Sequence, residues 1–254
     1  MEYYICLTNE RHPITYIAYT HYLLMKEIKV ESKEPVRINI FLRDKGIGSR
    51  RAIDDYISNG QITINNKQAL LGSKVSTGDI VQVKLVATKK IYALYHKPRG
   101  EVTWPNKDLP DCQPIGRLDK ESEGLLLYSN DYRVVDALLN PAYSREKEYE
   151  VTVREKATPR VVTLLKKGIH TQEATYSPVK AVTIYNEGYS IRIILTEGKK
   201  HEIRRMLNAL NLTIVSLKRV RIMSFVIRGI PPKKIHILTQ PQTETLLRDC
   251  GLTE

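Results

Sequence analysis

Apolar residues recur along this chain at two spacings. In "RINIFLRDKGIGSRRAIDDYISNG" (residues 37–60), Ile53 and Ile57 stand one turn apart, as do Ala52 and Tyr56. The stretch predicts two short helices, the second opened by Ser49 and closed at Asn59-Gly60. "QITINNKQAL" alternates at Ile62 and Ile64 before Asn65-Asn66, the pattern of a hairpin. "IVQVKL" places Val81, Val83 and Leu85 on one face of a strand. Further on, "IYALYHKP" reads as a strand, and Leu125-Leu126-Leu127 as a buried one ending at Ser129-Asn130-Asp131. "DYRVVDALLN" reads as a helix and "KEYEVTVRE" as an alternating strand. Thr158-Pro159 starts a helix that Gly168 stops, and Asn186-Glu187-Gly188 turns a second hairpin. A helix from about Lys200 to Leu210 and a strand through "TIVSLKRVRI" follow. Strands and helices mix without βαβ alternation, so the expected class is α+β with a largely antiparallel sheet.

The pattern divides the chain. Residues 36–86 form a small basic unit, Val86 to Lys90 a linker, and residues 91–247 a larger domain. Residues 1–24 are tyrosine-rich and aperiodic, and Met25 reads as a natural protein start. Residues 1–35 are accordingly expected to be an N-terminal extension without an assignable role.

Charge narrows the partner. Over 254 residues, 40 Lys and Arg face 28 Asp and Glu, a net +12 that favours a polyanion, nucleic acid ahead of a membrane surface. A soluble protein with scattered lysines has the same composition. Cys6, Cys112 and Cys250 are odd in number and lack CxxC spacing, so no disulfide framework or structural zinc is expected. The six histidines lack metal-ligand spacing, and no apolar run approaches the ~20 residues of a membrane span. No signal peptide is expected, and a reducing cytoplasmic setting fits best.

Four groups of residues carry candidate chemistry. Asp119 lies between Arg117 and Lys120 in "GRLDKESEGLLLYSND", where flanking cations favour an ionised carboxylate. From these residues alone, an ordinary turn aspartate is the commoner reading. Tyr149, in phase with Val151 and Val153, points inward, as most core tyrosines do. Two basic clusters suit phosphate contacts: Arg43, Lys45, Arg50 and Arg51 around a helix start, and Lys200, Arg204 and Arg205 with Lys218, Arg219 and Arg221. In the second, Lys200 and Arg204 are expected to stack on one helix face, with His201 and Arg205 in the neighbouring row. A solvated charged face accounts for either cluster.

"LYHKPRGEVTW", "GRLDKESEGLLLYSND", "EKEYEVTV", "LTEGKKHEIRRM" and "LKRVRIM" occur in this order. The succession resembles the RsuA/RluF-type pseudouridine synthases, with "RVRIMSFVIRGIP" leaning toward the RluF-like branch. Val36 to Leu85 resembles the RNA-binding module named for ribosomal small-subunit protein four. The resemblance spans roughly Met25 to Leu247. It implies isomerisation of a uridine in ribosomal RNA, most often of the large subunit and in some members tRNA, by a monomer without metal or cofactor. It further implies that Asp119 is the catalytic carboxylate, Tyr149 the active-site tyrosine and Arg204 the aspartate's partner in a dry pocket. Arg117 and Lys120 would handle RNA beside it. "PPKKIHILT" departs from the family's usual close, and Ile40 replaces a commonly basic position.

One ionised carboxylate beside the ribose suffices for such a reaction, as nucleophile or as base, because the uracil is recaptured and no water attacks. Two other readings compete. A non-catalytic RNA-binding or ribosome-assembly protein would be expected to have lost part of the Asp119, Tyr149 and Arg204 set. A nucleoside hydrolase would need a second carboxylate, for which Glu121, Glu123 and Glu197 are the candidates.

Overall fold

The computed structural model describes residues 22–87, 89–109, 112–171 and 174–252, which form two units divided after Lys90. The first 21 residues, and any role for them, lie outside this description.

The smaller unit runs β1 (Tyr22–Lys29), β2 (Val36–Arg37), α1 (Ile38–Asp44), α2 (Arg50–Ser58), β3 (Ile62–Ile64), β4 (Lys67–Gln68), β5 (Lys74–Val75) and β6 (Ile80–Ala87). Ser49 caps α2, its hydroxyl accepting from the Ala52 N–H at 3.0 Å. Asn65 and Asn66 take positive φ of 50° and 64° in the β3–β4 turn, as a two-residue hairpin loop requires. Ile38, Leu42, Ile53, Ile57, Ile62, Val81 and Val83 fill the core. Two boundaries shift. Residues 22–29 are no detached extension: β1 pairs antiparallel with β6 along its whole length, from Tyr22↔Ala87 to Lys29↔Ile80. It covers an edge that β6 would otherwise expose. Val86 and Ala87 belong to that pairing, which shortens the expected linker.

The larger unit runs β7 (Tyr92–Lys97), β8 (Gln113–Ile115), β9 (Glu123–Ser129), α3 (Tyr132–Leu139), β10 (Lys147–Val153), α4 (Pro159–Lys167), β11 (Ile169–His170) and β12 (Thr175–Tyr176). It continues with β13 (Ala181–Tyr185), β14 (Ser190–Leu195), α5 (Glu202–Ala209), β15 (Ile214–Ile222), β16 (Phe225–Val226), β17 (Ile235–Ile237) and α6 (Gln240–Cys250). The main sheet has the order β13-β14-β10-β15-β9-β7-β17, with β8 beside β9 and β16 beside β15. Packing on both faces explains the unbroken leucine run. Leu126 and Tyr128 join a core with α4 and α5 residues, while Leu125 and Leu127 join another with α3 and α6 residues. "PPKKIHILT" supplies β17, which pairs with β7. The unit continues past residue 247, since Cys250 at the end of α6 is buried.

Among the described main-sheet pairings, only β9–β15 is parallel, and it is short: Lys218↔Glu123 and Arg219↔Gly124. Gly124 has φ +127°, and a Cβ there would lie 2.3 Å from the Arg219 carbonyl oxygen. Only glycine lets the two backbones meet so closely.

Candidate active site

Asp119 occupies the turn between β8 and β9, closed by a 3.0 Å bond from the Ser122 N–H to the Asp119 carbonyl. The cations at its carboxylate come from the start of α5, the helix leading into the neighbouring strand β15, not from its chain neighbours. Arg204, in the first turn of α5, brings Nε to 3.5 Å from Asp119 Oδ2, and His201 Nδ1 lies 3.7 Å from the same oxygen. The Arg204 guanidinium also donates to the Ser122 hydroxyl at 2.9 Å, which fixes its plane. Arg117 and Lys120 project from the turn into solvent instead. The Asp119 side chain is 38% exposed, so the site is an open cleft and not the dry pocket expected.

Tyr149 points inward from β10, as its phase predicts. It belongs to the same core as Leu118 and Ile203, the residues directly before Asp119 and Arg204. Packing of that core is what brings the three site elements together. Lys97 secures the turn from behind. It is fully buried, and its ammonium donates to the carbonyls of Pro98, Glu101 and Ser122 at 2.9, 2.6 and 2.7 Å. Burial pulls its pKa down, against the opposing pull of Glu101 and Asp119.

Helix α5 begins later than periodicity suggests. His201 takes the left-handed conformation (φ 56°) as its N-cap, so Lys200 lies in the preceding turn and does not stack above Arg204. That uncommon backbone aims His201 at Asp119. His201, Ser122 and Lys97 are site residues that sequence reasoning misses, although the three-residue spacing of His201 and Arg204 places both near one face.

The second basic cluster does not hold together. Arg219 is 2% exposed and donates from Nε to the Leu125 carbonyl at 2.7 Å, so it cannot grip RNA. Its phase with Leu217 on β15 is the available signal. Lys218 pairs with Glu123 at 3.0 Å, and Arg221 with Glu146 and Glu148. Lys200, His201, Arg204 and Arg205 do line one open groove. In the smaller unit, Arg43 pairs with Asp44 and Lys45 sits 5.9 Å from the Phe41 ring, whereas Arg50 and Arg51 are exposed at the start of α2. Glu121 is engaged by Arg99, and no carboxylate besides Asp119 shares the His201–Arg204 contacts among the described residues.

Glu202, next to His201, is buried, with one oxygen accepting from the Lys199 N–H at 2.9 Å. Among the described residues, no N–H or O–H group donates to its other oxygen. Burial, and then a hydrogen bond shared with Glu197, push its pKa up to about 7. Folded Glu202 therefore keeps its proton where the unfolded chain has lost it, so its contribution to stability is full below about 4.5 and lost as pH rises to about 7. Glu202→Gln should flatten the fall in melting temperature across that window. A parallel fall in both proteins would rule out this carboxyl as its source.

A carboxylate on a tight turn, contacted by a guanidinium, and an inward tyrosine lie on a mostly antiparallel sheet, and comparison with known proteins assigns the class. Residues 84–209 match the family RNA pseudouridylate synthase, and residues 36–81 match the S4 domain. The chain belongs to the RNA pseudouridine synthase family. It is 30% identical to the dual-specificity RNA pseudouridine synthase RluF of Escherichia coli K12, over 84% of this chain and 79% of that protein. It is 28% identical to the ribosomal large subunit pseudouridine synthase B of Bacillus subtilis, over 83% and 95%. A crystal structure of a pseudouridylate synthase superposes with TM-score 0.62 at 22% identity, covering 83% of this chain and 99% of that one, a likeness of fold.

Proposed function

We propose that this enzyme converts a specific uridine of large-subunit ribosomal RNA to pseudouridine, with Asp119 as the catalytic carboxylate. The Asp119–Arg204 contact at 3.5 Å is the observation that carries this reading. The uridine leaves its stack at a cost of a few kcal/mol. Asp119 then either adds to C1′ or removes the C2′ proton, and the N1–C1′ bond breaks. The uracil turns and C5 bonds to C1′ as the Asp119 carboxylate leaves C1′ or returns the proton to C2′; the C5 proton departs and N1 takes up a proton, so the product is an isomer and the enzyme is restored. Arg204 holds the carboxylate in position, and Tyr149 packs against the turning base. The named relatives, one acting on the large subunit and one of dual specificity, support ribosomal RNA as substrate, with tRNA as the second possibility. Incubation with RNA carrying C5-tritiated uridine tests the reaction. Tritium release with all bases retained supports it, free uracil would indicate a hydrolase, and neither would indicate a binding protein.

The S4 unit would hold RNA through Arg50 and Arg51. Replacing both by alanine should lower the slope of log Kobs against log salt by about 0.7–0.9 for each phosphate left without its arginine, while activity at saturating RNA survives. An unchanged slope would remove these arginines from the interface.

A further inference from the structure

Trp104 is the only tryptophan of the chain, and it is 68% exposed on the loop between β7 and β8. Its backbone is not loose. Thr103 Oγ1 accepts from the Leu118 N–H at 3.1 Å and donates to the Leu118 carbonyl at 2.9 Å, and the buried Tyr128 hydroxyl donates to the Trp104 carbonyl at 2.8 Å. Upstream, Tyr95 donates to Glu101 Oε1 at 2.8 Å, Lys97 holds the Glu101 carbonyl, and the Gly100 N–H binds the Lys120 carbonyl at 2.8 Å. Glu101 and Thr103 turn inward, while Val102 and Trp104 face solvent, Val102 at 45% exposure.

A loop fastened this firmly would be expected to tuck its largest apolar ring into the core, yet here the anchors hold the ring out. The fastening also locates it. Leu118 directly precedes Asp119, so the Cα atoms of Trp104 and Asp119 lie within about 15 Å of each other. Exposed Arg117 and Lys120 stand on the same turn. A rigid aromatic face among cations is the composition of a stacking platform for single-stranded nucleic acid.

We infer that Trp104 stacks on a nucleobase of the substrate RNA next to the reacting uridine, replacing the stacking partner that base loses when the uridine flips out. The inference rests on the activity proposed above and adds the residue that stabilises the opened strand. Its energy is gained only once the stack has opened, so it favours the flipped state.

The lone tryptophan makes the test direct. In vitro-transcribed 23S ribosomal RNA is the probe, with C5-tritiated uridine for rates and unlabelled for emission and filter binding. Tryptophan emission of the wild-type protein should be quenched as this RNA binds. Trp104→Ala should raise KM about 5- to 150-fold, the equivalent of one stacked base, with kcat little changed. Trp104→Phe should recover most of the loss. Unaltered emission from RNA-bound wild type, or an unchanged KM in Trp104→Ala, would overturn the inference. If wild type binds the transcript but releases no tritium, the activity reading fails, and stacking is then judged by emission and by the filter-binding affinity of Trp104→Ala.

Discussion

Asp119→Asn is expected to abolish pseudouridine formation while leaving fold and RNA affinity nearly intact. The substitution keeps the side chain's size and removes both the charge and the nucleophilic or basic oxygen. Stability should change little, because the carboxylate is 38% exposed and its pairs with Arg204 and His201 are correspondingly weak. RNA affinity should hold as well, since phosphate contacts elsewhere dominate it. Arg204→Met should also lose most activity, through the freed carboxylate and the broken 2.9 Å bond to Ser122. The double variant should be no slower than Asp119→Asn alone, as for residues that act as one unit. The measurement is tritium release by purified protein. A rate for Asp119→Asn within about 100-fold of wild type would remove Asp119 from the role.

Gly124→Ala should cost the most stability. The new Cβ would lie 2.3 Å from the oxygen and 2.5 Å from the nitrogen of Arg219, both backbone atoms that cannot swing aside. It would also force φ +127° on a residue with a side chain. A loss of more than about 4 kcal/mol is expected, which lowers the melting temperature by roughly 8–16 °C in a domain of this size. Gly198→Ala is the control: nothing lies within 4 Å of its added Cβ, and it should change stability by about 0.5 kcal/mol or less. Equal melting temperatures for the two variants would show that the β9–β15 approach is not under the constraint described.

Much of this is readable from local pattern. Ser49, Thr158-Pro159 and the in-phase Tyr149 each declare their place within a few residues of chain, and the structure puts α2, α4 and β10 there. Asp119 and Arg204 are legible as motif residues, but chain adjacency points partly to the wrong cations. It suggests Arg117 and Lys120, whereas the turn directs them outward and α5 delivers Arg204 and His201. Arg219 misleads for a related reason. A run of charge reads as a solvated face unless its phase with Leu217 is given more weight than its polarity. Lys97 is invisible in the sequence because part of its surroundings comes from distant segments. These include Ser122, 25 residues away.

The short β9–β15 contact also bears on the order of folding. Asp119 enters from the β9 side, while Tyr149 and Arg204 enter from β10 and from the helix leading into β15. Closing the seam joins segments such as Arg219 and Leu125, 94 residues apart in the chain. The β13–β14 and β7–β9 pairings are comparatively local, but this junction, like the β7–β17 pairing, must await closure of a long loop, a slow entropic step. Refolding protein should therefore recover its strands before its turnover, with catalysis appearing only as the two half-sheets zip together.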